Sequence, residues 1–185
     1  MADRILFQFP GQGSQAVGMG GSLAAAFPEA RDVFEEVNDA LGEDLFTLMQ
    51  NGPEDDLRLT RNAQPALFAA SMAGLAVLRK ATGREIADLT DFVAGHSLGE
   101  YSALAAAGTL SIADAARLLR LRGDSMQSAV PAGEGAMAAI LNAEEDVVNE
   151  IVAEAAAGGV IQFANDNAPG QILSLIHISE PTRPY

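Results

Sequence analysis

Cysteine is absent from this 185-residue chain, which removes disulfides, thiolate metal sites and a cysteine nucleophile together. Histidine is nearly absent. With only His96 and His177, a histidine-based metal centre is not expected. Basic residues are scarce, 11 Lys and Arg against 25 Asp and Glu, and the formal net charge of −14 argues against a nucleic-acid or anionic-membrane partner. Neutralising phosphates takes clustered cations. No apolar run reaches the roughly 18 residues of a spanning helix without a charge or a breaker. The apolar run near the N-terminus, Ile5-Leu6-Phe7, is too short for a signal peptide and soon meets Pro10-Gly11. What remains is a globular composition, 49% hydrophobic and 19% charged, of a length for one domain or one and part of a second. An acidic cytoplasmic enzyme is the simplest class that fits.

The stretch that organises the chain is Val93-Ala94-Gly95-His96-Ser97-Leu98-Gly99-Glu100-Tyr101. The apolar run Phe92 to Ala94 meets a Gly-x-Ser-x-Gly turn, and an alanine-rich segment with helical periodicity follows from Leu98 to Ala107. That order of strand, glycine-flanked serine and helix is a nucleophile elbow, in which a sharp turn lifts the serine hydroxyl clear of its sheet. Gly95 and Gly99 leave room where the backbone passes close to itself, so the serine can hold a strained conformation. The helix start aims unpaired N–H groups at charge that develops near the hydroxyl. Ser97 is thus the candidate nucleophile. The bare motif also occurs in ordinary loops, and the flanking strand and helix are what single it out.

Before the elbow, Ile5 to Phe9 reads as a buried strand feeding the loop Pro10-Gly11-Gln12-Gly13-Ser14-Gln15. Gln12 could offer its amide to a ligand, or the loop could be an ordinary turn. No Gly-Lys-Ser/Thr follows, so it is not a phosphate-binding P-loop. Pro28 to Leu41 has the spacing of an amphipathic helix stopped by Gly42, its acids forming a solvated face. Short helices are expected over Asp44 to Gln50 and Glu54 to Leu59. A buried helix over Ala66 to Thr82 is expected to pack on the sheet that carries the elbow, with Gln64 at the junction before it.

After the elbow helix, Ser111 is placed to cap a helix running to about Met126. Arg117, Arg120 and Arg122 lie on or near its margins. They form either a solvated basic edge or, for one of them, a contact to an anionic substrate. Val130-Pro131-Ala132-Gly133-Glu134-Gly135 is the best internal boundary. Beyond it comes a strand (Ala136 to Leu141), a helix (Glu144 to Ala157), a strand (Val160 to Ala164) and a loop (Asn165 to Gly170), a β-α-β start to a small α+β subdomain.

Six stretches, in order, carry a resemblance to one family. They are FPGQGSQ (Phe9 to Gln15), NAQPAL (Asn62 to Leu67), GHSLGEYSAL (Gly95 to Leu104), LRG (Leu121 to Gly123) with MQ from Met126, GAMAAIL (Gly135 to Leu141) and NAPGQI (Asn167 to Ile172). From Ile5 to about Ile172 the chain resembles the malonyl-CoA:acyl carrier protein transacylases of fatty acid synthesis. The resemblance implies an α/β-hydrolase-like core over residues 1–132 and the start of an inserted ferredoxin-like subdomain over 133–172, both incomplete here. It implies a malonyl-serine ester on Ser97, an oxyanion held by the Leu98 N–H and Gln12, and a substrate carboxylate paired with Arg122. Gln64 and His96 fall at positions the family places near the site, and His96 is not assigned as the base. The implied partners are malonyl-CoA and acyl carrier protein, with no resident cofactor, no nucleic acid and no membrane, and a monomer at full length. The acyltransferase domain of a polyketide synthase shares these motifs and stands as the alternative, as does a non-catalytic fragment.

The family's general-base histidine lies beyond the point where the resemblance ends, so this chain is expected to have little transfer activity alone. Leu173 to Tyr185, which contains His177, resembles the translation of a transposase sequencing adapter. It is expected to be a non-native tail and is set aside from the fold reading, the alternative being a natural divergent end.

Overall fold

The computed structural model describes residues 4–129, 135–141, 143–156, 161–168 and 171–177. The chain divides into two compact units, Met1–Met126 and Gln127–Tyr185. Of the linker expected from Val130 to Gly135, residues 130–134, with the boundary near Gly133, lie outside the described residues, and Gly135 is the first residue of a strand.

The first unit is mostly helical around a two-stranded parallel sheet. β1 (Leu6–Phe9) pairs with β2 (Phe92–Gly95), with Leu6 opposite Phe92 and Phe9 opposite Gly95. Between them run α1 (Gly21–Ala26), α2 (Pro28–Leu41), α3 (Leu45–Asn51), α4 (Glu54–Arg58), α5 (Thr60–Thr82) and α6 (Ile86–Leu89), and after β2 come α7 (Leu98–Ala106) and α8 (Ile112–Ala129). A parallel pair needs such a crossover, because no tight turn can join its strands. Phe34, Phe68, Met49, Leu57, Leu98 and Leu119 are among the largest fully buried side chains of the core. Burying each of these apolar groups contributes roughly 1.5–3 kcal/mol, so the core draws on several elements and no single one dominates.

α2 has the expected bounds, its inner face formed by Ala30, Val33, Phe34 and Val37, and it ends at Gly42 with φ 67°. Only glycine adopts that left-handed cap without a Cβ penalty. Asp44 then caps α3: its carboxylate accepts from the Thr47 N–H (3.0 Å), the Thr47 hydroxyl (2.6 Å) and the Asn38 amide (3.0 Å). Ser111 caps α8 as expected, its hydroxyl accepting from the Asp114 N–H at 3.0 Å.

α5 departs from expectation in two ways. It begins at Thr60, so Gln64 and Pro65 stand inside the helix and not before it. Proline reads in sequence as a helix start, but its missing N–H is tolerated near a first turn whose carbonyls find other donors. Second, α5 packs mainly on α2 and α7, meeting the elbow through its helix and not chiefly through the strands. α1 and α6 have no counterpart in the sequence reading. Both are short: α1 has six residues, and α6 is a four-residue turn closed by a capping box between Glu85 and Asp88.

The second unit is a three-stranded antiparallel sheet with one helix. β3 (Gly135–Leu141), α9 (Glu145–Ala155), β4 (Ile161–Ala168) and β5 (Gln171–His177) follow in sequence, and β5 lies between β3 and β4. β4 runs through Asn165-Asp166-Asn167, which the sequence reads as a loop. Register shifts after Phe163 and Asp166 absorb these turn-prone residues while pairing with β5 continues. β5 extends through Leu173 to His177, the first residues of the expected non-native tail, with His177 opposite Gly135. The run Ile172-Leu173-Ser174-Leu175-Ile176 is rich in strand-forming residues and pairs on both sides. Among the described residues no helix is long and apolar enough to cross a membrane.

The Asp44 cap makes a testable link between pH and stability. The Thr47 hydroxyl, then the Thr47 N–H, hold its carboxyl below the ordinary value of 3.8, so its stabilising effect is present above 3.8 and lost as pH falls through the lower folded value. Asp44→Asn keeps an acceptor for the Thr47 N–H but cannot titrate. Thermal melts followed by circular dichroism from pH 5 downward should show the parent losing stability more steeply than Asp44→Asn, and parallel curves would contradict this.

Candidate active site

The site is built where β2 turns into α7. Ser97 occupies that turn with φ 56° and ψ −114°, the only non-glycine residue with positive φ among the described residues. Such a conformation costs of order 1–3 kcal/mol and persists only where its surroundings fix it. Two glycines do so. A Cβ on Gly95 would lie 1.9 Å from the carbonyl oxygen of Gly99, and one on Gly99 would lie 2.5 Å from that of Phe9. Strand β1 and the helix start are thus in direct backbone contact. The turn is closed by the Gly99 N–H donating to the His96 carbonyl (2.9 Å) and the Glu100 N–H to the Ser97 carbonyl (3.1 Å). Leu98, 1% exposed, is the first residue of α7, where a backbone N–H has no partner within the helix.

The serine hydroxyl is exposed and accepts a hydrogen bond from Arg122 Nη2 at 3.0 Å. Arg122 Nη1 donates to Gln64 Oε1 at 2.5 Å, and Gln64 Nε2 donates to the Met126 sulfur at 3.4 Å. Gln64 is 1% exposed, so a buried amide on α5 aims the guanidinium of α8 at the elbow. The solvated edge that three arginines suggested therefore fails for Arg122. It holds for Arg117, whose exposed side chain pairs with Asp114 at 3.1 Å and reaches the Ala40 carbonyl.

The remaining expected residues fall around this centre. Gln12 lies in the loop after β1 and its Nε2 donates to the Thr60 hydroxyl at 3.3 Å, tying that loop to the first turn of α5. The His96 ring lies against the loop after β1: a Cβ on Gly11 would lie 2.9 Å from His96 Nδ1. Ser97, Arg122 and Gln64 form one hydrogen-bonded chain, while Gln12 joins it through α5.

Sequence reasoning missed the backing of this chain. Gly123 lets α8 meet α5 backbone to backbone, since a Cβ there would lie 2.6 Å from the Arg61 Cα. Arg120, 13% exposed at its side chain, ion-pairs with Glu43 and donates through Nη1 to the Arg61 carbonyl (2.5 Å) and the Asn62 Oδ1 (2.7 Å). Burial pushes its guanidinium below the ordinary value while Asp124 acts in the other direction. Arginine keeps its charge regardless. Pro65, four residues after Arg61, was the available signal that a carbonyl here lacks its helical donor. Among the described residues no group of acids and histidines could hold a metal ion.

Comparison with known proteins extends the geometry. Residues 6–170 match the acyl transferase domain. The chain is 47% identical over 174 residues to the malonyl CoA-acyl carrier protein transacylase of Escherichia coli O157:H7, covering 94% of this chain and 55% of that protein. It superposes with TM-score 0.87 and 53% identity on the crystal structure of an acyl-carrier-protein-S-malonyltransferase from Bartonella henselae, covering 95% of this chain and 55% of that one. A malonyl-transacylase in complex with a type II PKS acyl-carrier protein gives 0.84 and 43%, with coverage of 95% and 55%. The chain thus spans about half the length of the curated relatives it matches.

The glycine contacts predict that Gly95→Ala cannot be accommodated by side-chain repacking, because the obstacle is the Gly99 carbonyl. Urea unfolding should show a loss at or beyond the ~3 kcal/mol upper end of ordinary overpacking. Parent-like stability would mean that β2 and α7 are not in this contact.

Proposed function

The chain belongs to the acyl transferase domain family, and from that premise we propose that it carries the nucleophile half of a cytoplasmic malonyl-CoA:acyl carrier protein transacylase. The observation that supports this best is the pair of hydrogen bonds from one guanidinium, Arg122, to the strained Ser97 hydroxyl and to the buried Gln64. A serine set beside a fixed cation suits an acyl group that ends in a carboxylate.

In this reading Ser97 Oγ attacks the thioester carbonyl of malonyl-CoA, and the developing oxyanion is held by the Leu98 N–H and the Gln12 amide. Losing one such donor typically costs ~10²–10³ in rate. The tetrahedral species collapses with cleavage of the C–S bond, CoA leaves as a thiol carrying the proton that Ser97 gave up, and a malonyl-serine ester remains. The phosphopantetheine thiol of acyl carrier protein then attacks that ester and restores the serine hydroxyl. Arg122 holds the malonyl carboxylate throughout, with Nη1 kept in place by Gln64. No resident cofactor takes part, and the base that receives the serine proton is assigned to no residue of this chain.

The finer architecture belongs to the same proposal. The strand, elbow and helix around Ser97, with β1 parallel to β2, support an α/β-hydrolase-like core. The order β3-β5-β4, with α9 joining the two outer strands and β5 antiparallel to both, supports a ferredoxin-like second unit.

Calorimetric titration tests the anchor. Malonyl-CoA should bind the chain more tightly than acetyl-CoA by about 1.5–3 kcal/mol, the worth of hydrogen bonds to a charged group, and Arg122→Ala should erase the difference. Equal affinity in the parent would overturn the reading. A second measurement follows transfer of radiolabelled malonyl from malonyl-CoA to carrier protein. It should show little turnover by this chain, and Ser97-dependent turnover at ordinary enzyme rates would place the base within these residues.

A further inference from the structure

Pro65 sits at the sixth residue of α5, where its ring nitrogen has no hydrogen to give the carbonyl of Arg61. In an uninterrupted helix that carbonyl would be satisfied from within. Here Arg120 Nη1 donates to it at 2.5 Å, and the same nitrogen reaches the Asn62 side chain at 2.7 Å. The approach needs the bare Gly123 one turn further along α8, where any Cβ would collide with Arg61 Cα. Two residues of this first turn face the site: Thr60, which accepts from Gln12, and Gln64, which holds Arg122.

We propose that Arg120 is a positioning residue, standing in for the helical N–H that Pro65 removes and so fixing the turn of α5 that orients Gln64 and, through it, Arg122. The proposal rests on the reading of Arg122 as the carboxylate anchor. Arg120 itself touches neither the nucleophile nor a substrate group. Its link to the site runs through the backbone of residues 60–64, so its loss shifts both the Gln64–Arg122 contact and the Gln12–Thr60 contact. The ion pair with Glu43 holds the guanidinium but is not what fixes the turn.

A double-mutant cycle separates these roles. Pro65→Ala returns an N–H to the turn, so Arg120→Met should lose about half or more of its destabilising effect in that background, a coupling expected only between groups sharing a partner. Equal effects in both backgrounds would overturn the proposal. The side-chain amide resonances of Gln64 and Gln12 give a readout that is independent of activity. They should move in Arg120→Met, return toward the parent in the double variant, and stay in place in Glu43→Gln and Arg117→Met. Unmoved resonances in a folded Arg120→Met, or movement in Glu43→Gln as large as in Arg120→Met, would sink the idea. If Arg120→Met does not fold, a folded double variant supports the proposal and an unfolded one refutes it.

Titration adds the link to function: Arg120→Met should weaken malonyl-CoA by about tenfold, one charged hydrogen bond's worth, with acetyl-CoA unaffected. Equal loss for both ligands would count against a positioning role. A parent chain that does not distinguish the two ligands would defeat the carboxylate-anchor reading, while the coupling and the resonances still decide what Arg120 does.

Discussion

The backbone contact between the end of β1 and the elbow is the constraint on which the rest of the first unit depends. Phe9 stands opposite Gly95 in the parallel pair, and its carbonyl also lies against Gly99 in the first turn of α7. Three segments distant in sequence or direction therefore meet with no side chain between them. Ser97 cannot relax toward ordinary dihedrals without pulling apart either the strand pair or the helix start, which is how a conformation that costs energy locally is kept. The strain puts the hydroxyl outside the sheet and leaves the N-terminus of α7 directly behind it.

A second backbone contact, between α5 and α8 at Gly123, does for Gln64 and Arg122 what the first does for Ser97. Close packing through a glycine brings the helix axes near enough for short polar chains to cross from one to the other. Gln64 is buried yet satisfied, with Arg122 on its oxygen and Met126 on its nitrogen. A buried amide lacking those partners would cost ~1–3 kcal/mol per lost hydrogen bond, so its presence in the core implies the arrangement around it.

Much of this was legible in sequence where one residue forces one conformation. Gly42 after an amphipathic stretch, Ser111 before another, and the spacing of Gly95, Ser97 and Gly99 each have a local physical cause, and the elements fall where those causes put them. Local cues failed where pairing or packing outvoted them. Asn165-Asp166-Asn167 has turn chemistry but lies in a strand, because β5 offers partners along its length and register shifts take up the misfit. Pro65 misled for a related reason: proline marks a helix boundary only if nothing else satisfies the carbonyl it abandons, and Arg120 comes from 55 positions further along the chain, 120 − 65.

The two arginines of Arg120-Leu121-Arg122 are the sharpest case. By charge and spacing they are equivalent members of a basic edge in an acidic chain. In a helix, residues two apart differ in direction by about 200°, so one face cannot hold both. Arg120 turns toward Glu43 and the first turn of α5, where it ion-pairs with a carboxylate and donates through Nη1 to a carbonyl and an amide oxygen. Arg122 turns toward the elbow, where one nitrogen is committed to Gln64 and the other rests on a serine hydroxyl, a neutral acceptor that a carboxylate outcompetes. The two arginines therefore differ in the charge of their partners. Arg120 already faces a carboxylate, whereas Arg122 lies between a neutral amide and a neutral hydroxyl. The Gly123 contact decides the matter by setting how α8 is rotated against α5, and composition carries no trace of it.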